Sequence, residues 1–189
     1  MSRPSSRLVS LLTLGVLTTT PLLAQPPAAP GVIPDAAEIC LPNRAQTTPS
    51  ADFTLIEEGQ AVRHQPTGLD WQRCALGQRW DGRDCVGRPG SWSWRAAEAL
   101  VAQRDDGWRL PRADELTTIV ERCHPGPAVN PQVFPNTPGL IFWTSSGDTG
   151  GLDRAWAVSF FAGSRYRMSK EQEGAIRLVR EAPAGAAAP

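Results

Sequence analysis

Histidine occurs only twice in the 189-residue chain, at His64 and His124, and neither lies in a cluster with ligand spacing. That argues against a histidine-based metal centre or a catalytic histidine. His64 reads as a strand residue and His124 as part of a helix stop. The four cysteines, Cys40, Cys74, Cys85 and Cys123, include no CxxC pair, so a four-cysteine zinc site has no spacing to support it. No basic excess exists either, with 19 basic and 19 acidic residues. After the first 24 residues no apolar run is long enough to span a bilayer. Tyrosine is single (Tyr166), and Lys170 is the one lysine beside 18 arginines, a skew to which we attach no function.

The start of the chain is distinctive. Arg3 and Arg7 precede an apolar run over residues 8–16, and Leu22-Leu23-Ala24 ends in a small residue. Residues 1–24 therefore read as a secretory signal peptide, with a retained single-pass anchor the weaker alternative. No cysteine follows the run, which argues against a lipoprotein anchor. Cleavage would leave 17 basic and 19 acidic residues, a net charge near −2. Nucleic acid is thus not an expected partner. The expected location is periplasmic or secreted.

An even cysteine count in an oxidising compartment reads as two disulfides. Three pairings are possible, and Cys74–Cys85 with Cys40–Cys123 is favoured. The first closes a tight loop around Trp80. The second ties an N-terminal arm to the end of the central helix.

Residues 25–50 are rich in Pro and Ala and read as a linker. One domain is expected over 51–181, and a disordered tail over 182–189. Its centre is Gly107-Trp108-Arg109-Leu110-Pro111. Trp108 and Leu110 alternate as on a short half-buried strand, and Pro111 stops the ladder. Leu116, Ile119, Val120 and Cys123 then share one face of a helix expected to run to Cys123. An earlier helix starts at Ser93, a good N-cap, with Trp94, Ala97, Leu100 and Val101 inward. Strands are expected at Phe53-Thr54-Leu55-Ile56, Ala61-Val62-Arg63-His64, residues 67–74, residues 140–145, around Trp156 to Phe160, at residues 165–168 and at residues 175–180. Trp71, Trp94, Trp108, Trp143 and Trp156 lie on apolar stripes and read as core.

Several stretches together resemble one family. They include Thr67-Gly68-Leu69-Asp70-Trp71-Gln72-Arg73-Cys74, Trp108-Arg109-Leu110-Pro111, Asn130-Pro131, Phe134-Pro135-Asn136-Thr137-Pro138, Phe142-Trp143-Thr144-Ser145-Ser146 and Ile176-Arg177-Leu178-Val179-Arg180. Their order is similar to the C-terminal domain of the Legionella collagen-like adhesin. The resemblance implies an α+β, C-type-lectin-like fold: two helices flanking small twisted antiparallel sheets, with long loops and here two disulfides. Arg112 stands where family members often have a capping Thr, so about 1 kcal/mol of helix stabilisation is expected to be missing. Asp70 stands where the family usually has an apolar or small residue.

The resemblance implies a non-catalytic binding module for a glycan or a cell-surface or envelope protein. A structural envelope subunit is one alternative. An enzyme of the formylglycine-generating branch is another, but no cysteine follows Cys123 to supply that chemistry. The Glu-Pro-Asn and Trp-Asn-Asp motifs of calcium lectins are absent, so calcium is not an expected cofactor, and no other cofactor or metal is expected. The candidate ligand residues are Ser146, Asp148 and Asp153 in a glycine-rich loop over 144–154, with Arg165, Tyr166 and Arg167 on the same face. Trp80 and Trp92, in polar surroundings, are the second candidate.

Overall fold

The computed structural model describes Ile33 and residues 40–124, 126–150 and 153–183. The expected signal peptide, most of the linker and residues 184–189 lie outside the described residues. The architecture is sheet-rich, with two helices and small antiparallel sheets. The larger sheet carries β1 (Phe53–Ile56), β2 (Ala61–His64), β3 (Leu69–Gln72) and β11 (Val179–Glu181), in the order β1-β2-β3-β11. The three-stranded sheet β7-β8-β9 comprises β7 (Ile141–Gly147), β8 (Arg154–Ser159) and β9 (Ser164–Ser169). Two small ribbons complete the set. One pairs β4 (Arg79–Trp80) with β5 (Cys85–Val86), the other β6 (Trp92–Ser93) with β10 (Glu173–Gly174).

Helix α1 (Trp94–Ala102) starts as its sequence dictates, with Ser93 Oγ accepting from the Ala96 amide at 3.3 Å. Helix α2 is shorter than its apolar spacing suggests. It covers only Ala113–Thr117, and residues 118–123 leave the helix while Ile119, Val120 and Cys123 stay buried. Two causes are visible. The Thr117-Thr118-Ile119-Val120 run is β-branched, and the Thr117 and Thr118 hydroxyls donate to the carbonyls of Ala113 and Glu115. Glu121 then turns inward to collect the amides of Thr47, Thr48 and Cys123 at 2.8–3.1 Å. Arg112 cannot accept a hydrogen bond, yet the helix start is not bare. The Glu115 carboxylate accepts from the Arg112 amide at 2.7 Å, and Ser146 Oγ on β7 accepts from the Ala113 amide at 3.0 Å. The missing cap is thus supplied from another element.

Both favoured disulfides are present, Cys40–Cys123 and Cys74–Cys85. The expected Trp108-Leu110 strand is a single bridge, Arg109 to Val179, with both amide bonds made at 2.9 and 3.0 Å. Asp70 is explained by its register. It lies fully buried on β3 between Arg63 of β2 and Arg180 of β11, accepting from Arg63 Nε at 2.8 Å, with Arg180 Nη2 at 3.5 Å. A charge inside the sheet is tolerated because two cross-strand guanidiniums face it.

Trp71, Trp108 and Trp143 are core, but Trp94 and Trp156 are only half-buried. Both carry cations over their rings: Lys170 over Trp94 at 4.3 Å, and Arg167 and Arg165 over Trp156 at 4.7 and 5.8 Å. Trp108→Ala is expected to cost about 3–5 kcal/mol, because the ring is only 6% exposed and packs under Arg180. Trp80→Ala, at a half-buried ring, should cost clearly less. Equal losses in urea melts would contradict this inside-outside assignment.

Two of the buried groups that contribute to acid sensitivity are His64 and Glu121. Burial holds the His64 imidazole below its usual range, against a smaller opposing effect of Asp52. Burial alone would push Glu121 up, but the Cys123, Thr47 and Thr48 donors outweigh it and leave its carboxyl low. For His64 the unfolded state binds the proton first, so stability falls as pH drops below about 6.5. For Glu121, stability present above the unfolded pKa is lost as pH falls through the lower folded value. Thermal melts from pH 8 to about pH 3 should show a two-stage decline. A flat profile between about pH 6.5 and 5 would remove the His64 contribution.

Candidate functional site

Disulfide Cys74–Cys85 staples the β4–β5 ribbon, in which Trp80 pairs directly with Cys85. The turn between them is built locally. Asp81 Oδ1 accepts the Arg83 and Asp84 amides at 2.9 and 2.8 Å, and Gly82 takes φ +100°. These amides hold the Asp81 carboxyl below the usual range, the Asp84 amide contributing most.

Arg73 fixes the indole from below. Its side chain follows Leu69 and Trp71 in the strand alternation and is buried with them. Nε donates to Val133 O at 2.7 Å, Nη1 to Gly59 O at 3.0 Å and Nη2 to Gln132 O at 2.9 Å. The guanidinium lies 4.3 Å from the Trp80 ring centre. Burial lowers Arg73 to about 10, the Asp84 charge acting the other way, so it stays cationic at neutral pH. One side chain thus ties β3, the turn after β1 and the 130–135 loop around Trp80.

The turn after β1 is strained. Glu57 and Glu58 take φ +50° and +54°, followed by Gly59 at +81°. Left-handed backbone at two successive non-glycine residues is costly and is found where a site needs a particular shape. A Cβ on Gly59 would stand 3.5 Å from the Trp80 ring. Beside this turn opens a cleft of 560 Å³, walled by Trp80, Leu55 and Pro131 and rimmed by Glu58, Arg83 and Gln132. An adjoining depression of 310 Å³ shares Trp80 and Glu57 and adds Gln72, Gln78 and Arg79. The Trp80 Nε1 proton is buried without an acceptor among the described residues.

The other candidate residues are distributed differently. Ser146 is occupied at the start of α2. Asp153 is paired with Arg95 at 2.8 Å and Lys170 at 3.6 Å. Asp148 Oδ1 accepts the Gly150 amide at 3.2 Å and lies 3.9 Å from Arg167. Arg165, Tyr166 and Arg167 are exposed on β9, an edge strand, but they do not share a face as expected: alternation sets Tyr166, opposite Ala157, on the face away from Arg165 and Arg167. The structure therefore brings Arg165 and Arg167 together over Trp156, with Asp148 beside Arg167, on a different sheet from Trp80. Trp92 does not join Trp80 in either depression. Its ring covers Gly90 and packs on the second core cluster, while its carbonyl accepts from Trp143 Nε1 at 2.8 Å.

Sequence reasoning found Trp80 but missed Arg73, Glu57 and Glu58. A guanidinium on the inward face of a strand was the one available signal. His64 bonds Thr67 at 2.8 Å and stacks on Phe53. The one cluster of three potential metal ligands among the described residues is Cys40, Glu121 and Cys123. It is already spent, since the sulfurs are bonded to each other and Glu121 is filled by amides.

A family model described as the Lcl C-terminal domain matches residues 60–180. No curated protein matches the chain.

Proposed function

Since the chain belongs to the Lcl C-terminal domain family, we propose that it is a non-catalytic, exported binding module of C-type-lectin-like fold that takes a glycan in the Trp80 cleft. The carrying observation is the cleft itself: an indole wall with carboxylate, amide and guanidinium groups at its rim. Sugar rings present apolar C–H faces to aromatics and hydroxyls to such polar groups. Strained backbone at Glu57 and Glu58 and an Arg73 clamp beneath the ring support a preorganised site. The two disulfides support a periplasmic or secreted location.

The test is a glycan array probed with the wild-type chain and with Trp80→Ala. Selective binding should be weakened about tenfold or more by the substitution, and should survive calcium chelation. Binding that Trp80→Ala leaves intact, but that Asp148→Ala or Tyr166→Ala abolishes, would move the site to the β8–β9 face. No selective binding at all would favour a structural envelope subunit.

A further inference from the structure

Large exposed apolar side chains concentrate away from the Trp80 cleft. Leu41, 39% exposed, and Phe161, 74% exposed, line one groove of 460 Å³. Leu140, 44% exposed, does not line it; its carbonyl accepts from the amide of Phe160, the residue before Phe161, at 2.9 Å. Exposed apolar groups gathered in this way mark an interaction surface rather than a solvated one.

The groove is rigidly built from three segments. The arm carrying Leu41 and Arg44 is bonded to the 120–124 segment by Cys40–Cys123 and by Leu41 N to Cys123 O at 2.9 Å. The turn after β8 closes the third side, and Gly163 approaches Val120 so closely that a Cβ would lie 2.7 Å from its methyl. The groove also has a charge. Arg44 and Arg122 are exposed on its wall, and among the described residues neither has an ion-pair partner. Arg44 Nη1 makes one long bond, to Arg122 O at 3.4 Å. Glu121, the carboxylate in the wall, is 2% exposed, and both its oxygens accept from Thr47, Thr48 and Cys123. His124 is engaged through Nδ1 with Pro127 O at 2.8 Å. Two guanidiniums with no carboxylate partner among the described residues thus stand beside the exposed Leu41 and Phe161 side chains.

We infer that this groove docks an acidic segment of a partner protein, one that places an aliphatic or aromatic side chain against Leu41 and Phe161 and a carboxylate on Arg44 and Arg122. Charge complementarity selects this occupant. A second copy docked groove to groove would bring four guanidiniums together, and the one carboxylate lining the groove, Glu121, is already filled by amides and hydroxyls.

The probe is a fluorescein-labelled peptide, Asp-Glu-Leu-Phe with blocked ends, followed by anisotropy. Its Asn-Gln-Leu-Phe counterpart is the control. Saturable binding of the acidic peptide is expected, weakening with salt and falling about tenfold with Phe161→Ser and with the Arg44→Gln/Arg122→Gln pair. Trp80→Ala should leave it unchanged. The altered side chains are exposed, so melting temperatures should hold; if Phe161→Ser does not fold, the arginine pair decides alone. Absent saturation, equal binding of the control peptide, or indifference to the arginine pair would each overturn the inference. So would a dimer in sedimentation that Phe161→Ser dissociates without any peptide binding, since the groove would then be covered by a second copy.

Discussion

Arg177→Ala is expected to lower stability by about 3–5 kcal/mol, although nothing in the Ile176-Arg177-Leu178-Val179-Arg180 stretch marks its guanidinium as buried. Arg177 is fully buried. Nη1 donates to Gln72 O at 2.9 Å and also to Arg73 O, and Nη2 donates to Thr137 Oγ1 at 2.6 Å. The guanidinium lies over Phe134 at 4.7 Å and Phe142 at 5.7 Å. Among the described residues no carboxylate is paired with it; carbonyl dipoles and ring faces meet its charge. Burial, helped by the nearby Arg73 charge, lowers Arg177 to about 9, which still leaves it protonated at neutral pH. Truncation opens a cavity and strands carbonyl acceptors, while removing the cost of a buried charge. The opposing terms can be separated. Arg177→Met keeps most of the volume and drops the charge, so it should recover part of the loss in urea melts. Arg177→Met as stable as wild type would mean that the guanidinium bonds contribute nothing net. Because Arg177 holds the Arg73 carbonyl, and Arg73 in turn holds Trp80, even the folded variants should bind less tightly in the Trp80 cleft.

These two arginines also mark where sequence reading stops. β1, β2, β3 and α1 were legible because their signals are local: alternation, a turn, a Ser N-cap. The disulfide pairing was legible because few cysteines leave few choices. Asp70, Arg73 and Arg177 were not, because each sits at an inward position where an apolar residue would be expected. Their partners are set by register or lie far along the chain, such as Val133 for Arg73 and Gln72 for Arg177. The same holds for the start of α2, whose second donor is met by Ser146, 33 residues away. Trp156 shows the converse error. Apolar alternation placed it in the core, but β9 is an edge strand, and two arginines cover the ring in place of a packed layer. In the cleft, Trp80 stood out as an aromatic in polar company. Glu57 and Glu58 did not, since nothing in Glu57-Glu58-Gly59 announces left-handed backbone at the two glutamates.

Removing both disulfides is expected to cost roughly 7 kcal/mol in the chain-entropy model, the largest effect anticipated here, and the two bridges should fail differently. Cys40 and Cys123 are 83 residues apart and Cys74 and Cys85 are 11 apart. Loop entropy assigns about 4.5 kcal/mol to the first and about 2.8 kcal/mol to the second. Part of the first is insured, because the arm is also held by Glu121 through the amides of Thr47 and Thr48. That insurance weakens in acid, as Glu121 protonates, so the Cys40→Ser/Cys123→Ser variant should be more acid-sensitive than wild type. The second bridge stabilises less but sits beside Trp80, where the two-residue ribbon has little else to fix its geometry. Cys74→Ser/Cys85→Ser should therefore lose less stability and more cleft binding, while leaving the acidic-peptide groove intact. Cys40→Ser/Cys123→Ser should show the opposite pattern, since its bridge builds the wall that carries Leu41. Denaturant midpoints of the two paired variants, read beside the two binding assays, test this division. A larger stability loss from the short loop would show that native packing around Trp80, rather than loop entropy, governs what these bridges contribute.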